Sequence, residues 1–211
     1  MTIDHAAFVF MPADSGLYLI MRLVGRLTAP LMSFLLVEGF CHTHNRRKYI
    51  GRLAVFALIA QPFYSLMISG NLNVLYSFMI SLIMLSIVET KRINTLIKII
   101  LVGVCFALSS FGDFGIIIPV WVGLFYFMRG RNFDYQTKVG VFLLATFLLV
   151  EFLQISFIQH GAVFALIPLY YYSGKRTGKE YSKTFNAVSK WGAYVYYPFH
   201  IAVLVALKII F

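Results

Sequence analysis

The chain has 211 residues; 60% are hydrophobic, only 12% are charged, and the formal net charge is +10. Soluble domains average about 45–50% apolar and about 25% charged residues, so this composition excludes an ordinary water-soluble enzyme or scaffold. It specifies an all-α, polytopic integral membrane bundle, and the length leaves room for one domain, 1–211, with no second globular unit.

The positive charge would suit nucleic acid if it covered one face, but it is divided among loops. Fifteen of the 18 Lys and Arg residues fall in four clusters: Arg46, Arg47, Lys48 and Arg52; Lys91, Arg92 and Lys98; Arg129, Arg131 and Lys138; and Lys175, Arg176, Lys179, Lys183 and Lys190. The connections between them, SGNLN (69–73), SFGDFG (110–115) and SFIQHG (156–161), hold none. That alternation follows the positive-inside rule and makes the basic loops cytoplasmic, with the N-terminus inside and the C-terminus outside. No nucleic-acid partner is expected. Cys41 and Cys105 lie in apolar stretches and read as small core residues without metal or disulfide spacing.

About nine segments are predicted: 1–12, 17–42, 52–69, 73–90, 95–111, 115–128, 138–155, 160–173 and 192–211. Ionisable groups at membrane depth cost several kcal/mol, so each marks a candidate site. The first segment carries Asp4 and His5. It is short for a span and reads as the outer half of a helix, either continued upstream or partial. No Lys or Arg precedes its apolar run, which speaks against a secretory signal peptide. Neighbours on a helix point about 100° apart, so Asp4 and His5 each meet partners from other helices. Asp4 is expected to meet Arg22 or Arg26, while no partner is forced on His5, leaving its ring free to exchange a proton.

Segment 17–42 is longer than one span and is expected to end or kink at Pro30. Arg22 and Arg26 share a face and either bind lipid headgroups or clamp an anionic group on a ligand. Glu38, His42 and His44 suggest a metal only weakly, since no further ligand lies near in sequence. Glu38 is either a buried polar contact or, with Asp113, a substrate-binding carboxylate. Segments 95–111 and 115–128 are short and are expected to form a bent or re-entrant pair around Asp113, which is a solvated turn acid or lines an entrance. Glu151 and His160 flank an outer loop and can pair. In the last segment Pro198 bends the helix, and His200 faces a cavity or bonds to a tyrosine.

Taken together, DH in an opening apolar helix, the stretch RLVGRLTAPLMSFLLVEGFCHTHNRRKYIGRLAVFALIAQPFY, then LNVLYSF, FGDFGI and YYPFHI resemble the TraX family of membrane proteins over nearly the whole chain. The resemblance implies a bacterial inner-membrane acetyltransferase that moves acetyl from acetyl-CoA to the N-terminal amine of pilin or another exported protein or glycan. It also implies kinship with acyltransferase-3 proteins and lysosomal heparan N-acetyltransferase. Joined to the residues above, this makes His5 the general base, with His200 the second candidate. Asp4 steadies Arg22 or Arg26, which bind phosphate of the donor or polarise its thioester, and Asp113 attracts the amine. The rival classes are a small transporter or channel and a non-catalytic, lipid-binding assembly factor.

Overall fold

In the computed structural model, residues 1–129, 131, 134–153, 156–172 and 183–210 are described. Lys175, Arg176 and Lys179 of the fourth basic cluster lie outside them, and so do the side chains of Lys183 and Lys190.

Short polar side chains start most of the helices. Helix α1 is Thr2–Phe10. Ser15 accepts from the Tyr18 amide to begin α2, Gly16–Gly25, and α3 is Thr28–His42. Asn45 caps α4, Arg46–Met67; Asn73 caps α5, Val74–Glu89; and Asn94 caps α6, Thr95–Ser109. Helix α7 is Ile117–Arg129, and Asp134 caps α8, Tyr135–Phe152. Each cap supplies an oxygen to an amide that has no partner within its helix. A 3-10 helix, Phe157–Ala165, leads into the short α9, Leu166–Tyr170, and α10 runs over Lys183–Ile210.

Several boundaries depart from the expected ones for physical reasons. The long second segment breaks between Gly25 and Thr28, while Pro30 lies in the first turn of α3. A proline ring collides with the carbonyl four residues earlier, here Arg26, so the break precedes the proline. Helix α4 begins six residues before the predicted 52 and takes the basic cluster into its first two turns. Asn45 caps it there, Arg46 pairs with Glu89, and Arg52 lies over the rings of Tyr49, Trp191 and Tyr194. Long basic side chains lie along apolar surface in this way while the charge stays at the rim. The expected bent pair is two separate helices joined by a compact loop, in which Gly115 has φ +51 and Phe111 accepts from the Leu72 amide at 2.8 Å.

Helix α1 packs on α2 and α10, α4 lies between α5 and α10, and α3 packs on α7; the 3-10 helix covers α2, α3 and α8. The starts of α4, α6 and α8 and the ends of α3, α5 and α7 carry or flank the first three basic clusters and form a basic end; the connections at 69–73, 110–115 and 156–161 form the other. Gly16–His42, counted across its break, and Arg46–Met67 are each long and apolar enough to cross a membrane. Large apolar side chains cover the exterior as well as filling the core, and several polar and ionisable groups lie inside. Asp4, His5, Arg26, Asn73 and His200 are buried, whereas Leu58, Ile99 and Phe152 are 74%, 63% and 85% exposed.

Candidate functional site

The site lies at the end without basic loops, where α1 meets α2 and α10. His200 places Nδ1 2.9 Å from the Tyr196 carbonyl, one helical turn before it. A carbonyl only accepts, so Nδ1 carries the hydrogen, and Nε2 of the neutral ring is an acceptor. That nitrogen is 3.1 Å from His5 Nδ1, which therefore donates. The chain carbonyl–His200–His5 leaves the lone pair of His5 Nε2 facing outward from the relay. The two rings are within 4° of parallel, and Tyr196 and Tyr197 pack against His200. A hydrogen bond between Thr2 and the Tyr196 hydroxyl fastens α1 to α10 beside the pair.

Asp4 turns the other way, to α2. Its carboxylate lies 3.0 Å from Arg22 Nη1 and 3.3 Å from Arg26 Nη2, so both arginines that were alternatives in the sequence are its partners. The approach depends on Gly25: a Cβ there would fall 2.2 Å from Asp4 Cβ. The guanidinium of Arg22 lies over Phe8 and that of Arg26 over Phe114, at 5.4 and 5.2 Å from the ring centres. Their Nε atoms are buried and have no hydrogen-bond partner.

Asp113, from the loop between α6 and α7, joins this group across a chamber of about 20 Å³ that Asp4, His5, Gly25, Thr28 and Phe114 also line. Such a volume holds one water. Among the described residues Asp113 forms no ion pair; it faces the Tyr64 hydroxyl, which closes no well-aligned bond. Two carboxylates, two guanidiniums and the Met1 ammonium, which donates to the Thr28 hydroxyl at 2.8 Å, thus surround the two histidines.

Sequence reasoning missed the frame behind the site. Asn73 caps α5 and also donates to the Ala57 carbonyl and to Gln61 Oε1, both at 2.8 Å, while Gln61 donates to the Asn71 carbonyl at 3.2 Å. Tyr64 and Tyr197 complete it and are buried. The available signal was a buried asparagine directly after a turn, in LNVLYSF.

Glu38 belongs to the opposite end. It pairs with Arg129 Nε at 2.7 Å, and its carbonyl, 2.8 Å from Nδ1, accepts from His42. Arg46 pairs with Glu89, which also accepts from the Tyr126 hydroxyl at 2.6 Å. Glu151 lies 3.9 Å from His160 and away from the site. Among the described residues no group of three His, Cys, Asp or Glu is placed to hold a metal.

These features define a class: all-helical proteins with an apolar exterior and a histidine and ion-pair site buried between helices. The chain belongs to the TraX family, which matches residues 1–208. It is 34% identical over 232 aligned residues to the probable fimbrial assembly protein FimC, serogroup H1, of Dichelobacter nodosus, covering 99% of this chain and 91% of that protein. No solved structure matches it.

Proposed function

We propose that the protein is a membrane-embedded acetyltransferase that acts on a pilus-related exported acceptor, with His5 as general base. The apolar exterior and the alternation of basic loops support a polytopic placement in the bacterial inner membrane, basic end to the cytoplasm. Family membership and the name of the fimbrial relative support the pilus context.

The observation that carries the reading is the relay of the Tyr196 carbonyl, His200 and His5, because it fixes one histidine nitrogen as a base. Acetyl-CoA, as donor, supplies an acyl group already activated as a thioester. The orphaned Nε hydrogens of Arg22 and Arg26 fit a carbonyl oxygen on which charge develops. His5 Nε2 takes the proton from the attacking amine nitrogen as the new C–N bond forms, and returns it to the sulfur as the C–S bond breaks. His200 stabilises the charged His5 ring, which makes it a positioning residue for the base. Asp4 holds both guanidiniums in place, and Asp113 attracts the acceptor's ammonium, which gives one proton to water at the outer mouth before the neutral amine attacks. Of the two tasks open to the arginines, polarising the thioester suits their buried place beside His5 better than holding donor phosphates, which are more easily met by the basic end. Glu38, engaged with Arg129, would order that end.

The test is acetyl transfer from labelled acetyl-CoA in membranes. His5→Ala should lose roughly 10²–10⁴-fold, the range of general-base catalysis. His200→Ala should lose less and shift the pH profile. Full activity in His5→Ala would remove the reading. A transporter reading fits the geometry less well, because the buried charges cancel within one cluster instead of lining a path.

A further inference from the structure

At the basic end a cavity of about 350 Å³ is framed by α3, α7, α8 and α9, and it shares no residue with the His5 chamber. Its size falls in the range of small-ligand sites, about 300–1,000 Å³. Aromatic rings from three of these elements meet around it. Phe34 stands edge-on to Phe125 and to Tyr172, with centres 5.6 and 5.0 Å apart, and Phe125 stacks on Phe142 at 5.5 Å. Leu166 and Leu169 of α9 add an aliphatic side. An unfilled apolar space forfeits the dispersion contacts of its lining, so hydrocarbon that enters it is held.

The charges on its wall are of one sign. Arg129 and Lys138 line it, and no Asp or Glu does among the described residues. Arg129 gives its Nε hydrogen to Glu38 at 2.7 Å, which offsets its charge and leaves its terminal nitrogens without a partner among the described residues. Lys138 forms no ion pair among them, so the wall carries one uncompensated positive charge. Both cations belong to the third basic cluster, which the alternation of loops places at the cytoplasmic face, at the depth of lipid phosphates.

Hydrocarbon space beneath a positive charge selects an amphiphilic anion. A free phosphate would leave the rings uncovered. A polar arm built of amides would find, besides the two cations, only the hydroxyls of Tyr170 and Tyr172 among the lining side chains. The framing helices also expose Leu144 of α8 and Ile167 of α9, an apolar exterior from which a lipid chain enters sideways.

We propose that this cavity binds an anionic phospholipid of the cytoplasmic leaflet. One acyl chain lies against Phe34, Phe125 and Phe142, and the phosphate sits on Lys138 Nζ and the terminal nitrogens of Arg129. The lipid then serves as packing between α8, α9 and the α3–α7 pair.

The experiment counts bound lipid by native mass spectrometry of the full chain in an uncharged detergent. Titration with phosphatidylglycerol should show one lipid held at least fivefold more tightly than phosphatidylcholine of the same chains, about the worth of one lysine near an anionic headgroup. Lys138→Gln should bring the two lipids within twofold of each other. Lys91→Gln, at an exposed lysine of the same end outside the cavity, should leave the preference unchanged. Val139→Trp places a bulky ring in the chain's space and should weaken both lipids at least fivefold; Leu169→Trp gives the same readout should Val139→Trp fail to accumulate. No preference in the wild-type chain, or a preference that survives Lys138→Gln, overturns the proposal. Equal losses in Lys91→Gln and Lys138→Gln would mark diffuse attraction to the basic end and overturn it too. So would displacement of the lipid by equimolar glycerol phosphate or coenzyme A, which carry the phosphate without the chain.

Discussion

Asp4 with Arg22 and Arg26, and Glu38 with Arg129, are both carboxylate–guanidinium contacts, at 3.0 and 3.3 Å in the first case and 2.7 Å in the second. The shorter contact is the weaker constraint. Arg129 is 37% exposed and water can replace its partner, while the side chains around Asp4 are at most 13% exposed. Exposed ion pairs contribute about 0–1 kcal/mol, whereas removing one partner of a buried pair costs about 3–5 kcal/mol. Burial, rather than distance, decides which cluster the fold depends on.

Asp4→Asn should therefore have the largest effect. It removes the carboxylate that pairs with both guanidiniums and leaves Asp113, which forms no ion pair with either, as the remaining acid of the group; about 3–5 kcal/mol should be lost, read as a fall in thermal stability in detergent. A small fall would show that water reaches α1 and would erase the contrast between the ends. Gly25→Ala comes next. Its Cβ would meet Asp4 Cβ at 2.2 Å, both atoms being fixed to helix backbones, so α1 must shift. Overpacking costs about 1–3 kcal/mol, and acetyl transfer should fall further than stability alone explains, because His5 moves with Asp4. Unchanged activity would detach α1 from the chemistry.

Asn73→Ala sharpens the comparison from behind the site. It removes a helix cap and two further hydrogen bonds, worth about 1 kcal/mol each before relaxation. The loss should appear as faster proteolysis of the connection at 69–73. Glu38→Gln should have the smallest effect, about 0.2–1 kcal/mol in thermal melts, and one that fades as salt is raised. A large, salt-insensitive loss would make the basic end as integral as the other.

Much of the architecture was legible in the sequence because two signals there are strong. Apolar segments separated by alternating basic and neutral loops fixed the order and sense of the helices. Asp4 and the two arginines were legible because an acid in an apolar run needs a nearby base, and the next helix offered one. The His5–His200 contact was not, since 195 positions separate the two and nothing local marks them as a pair. The starts of α4 and α10 were misplaced because hydropathy stops at the first lysine or arginine, whereas both helices continue through them, α4 behind its Asn45 cap. The role of Asn73 was hidden by its small size and by the ordinary appearance of asparagine after a turn.

The pairing of α1 with α10 also bears on biogenesis. A ribosome adds roughly 5–20 residues per second, so about 10–40 s separate the emergence of His5 from that of its partner. Until α10 enters the bilayer, His5 has no second ring to share its proton, and α1 lacks one of its two main packing partners. On the proposed reading of His5, the final helix completes the base, so a truncated or half-inserted chain should be silent in acetyl transfer.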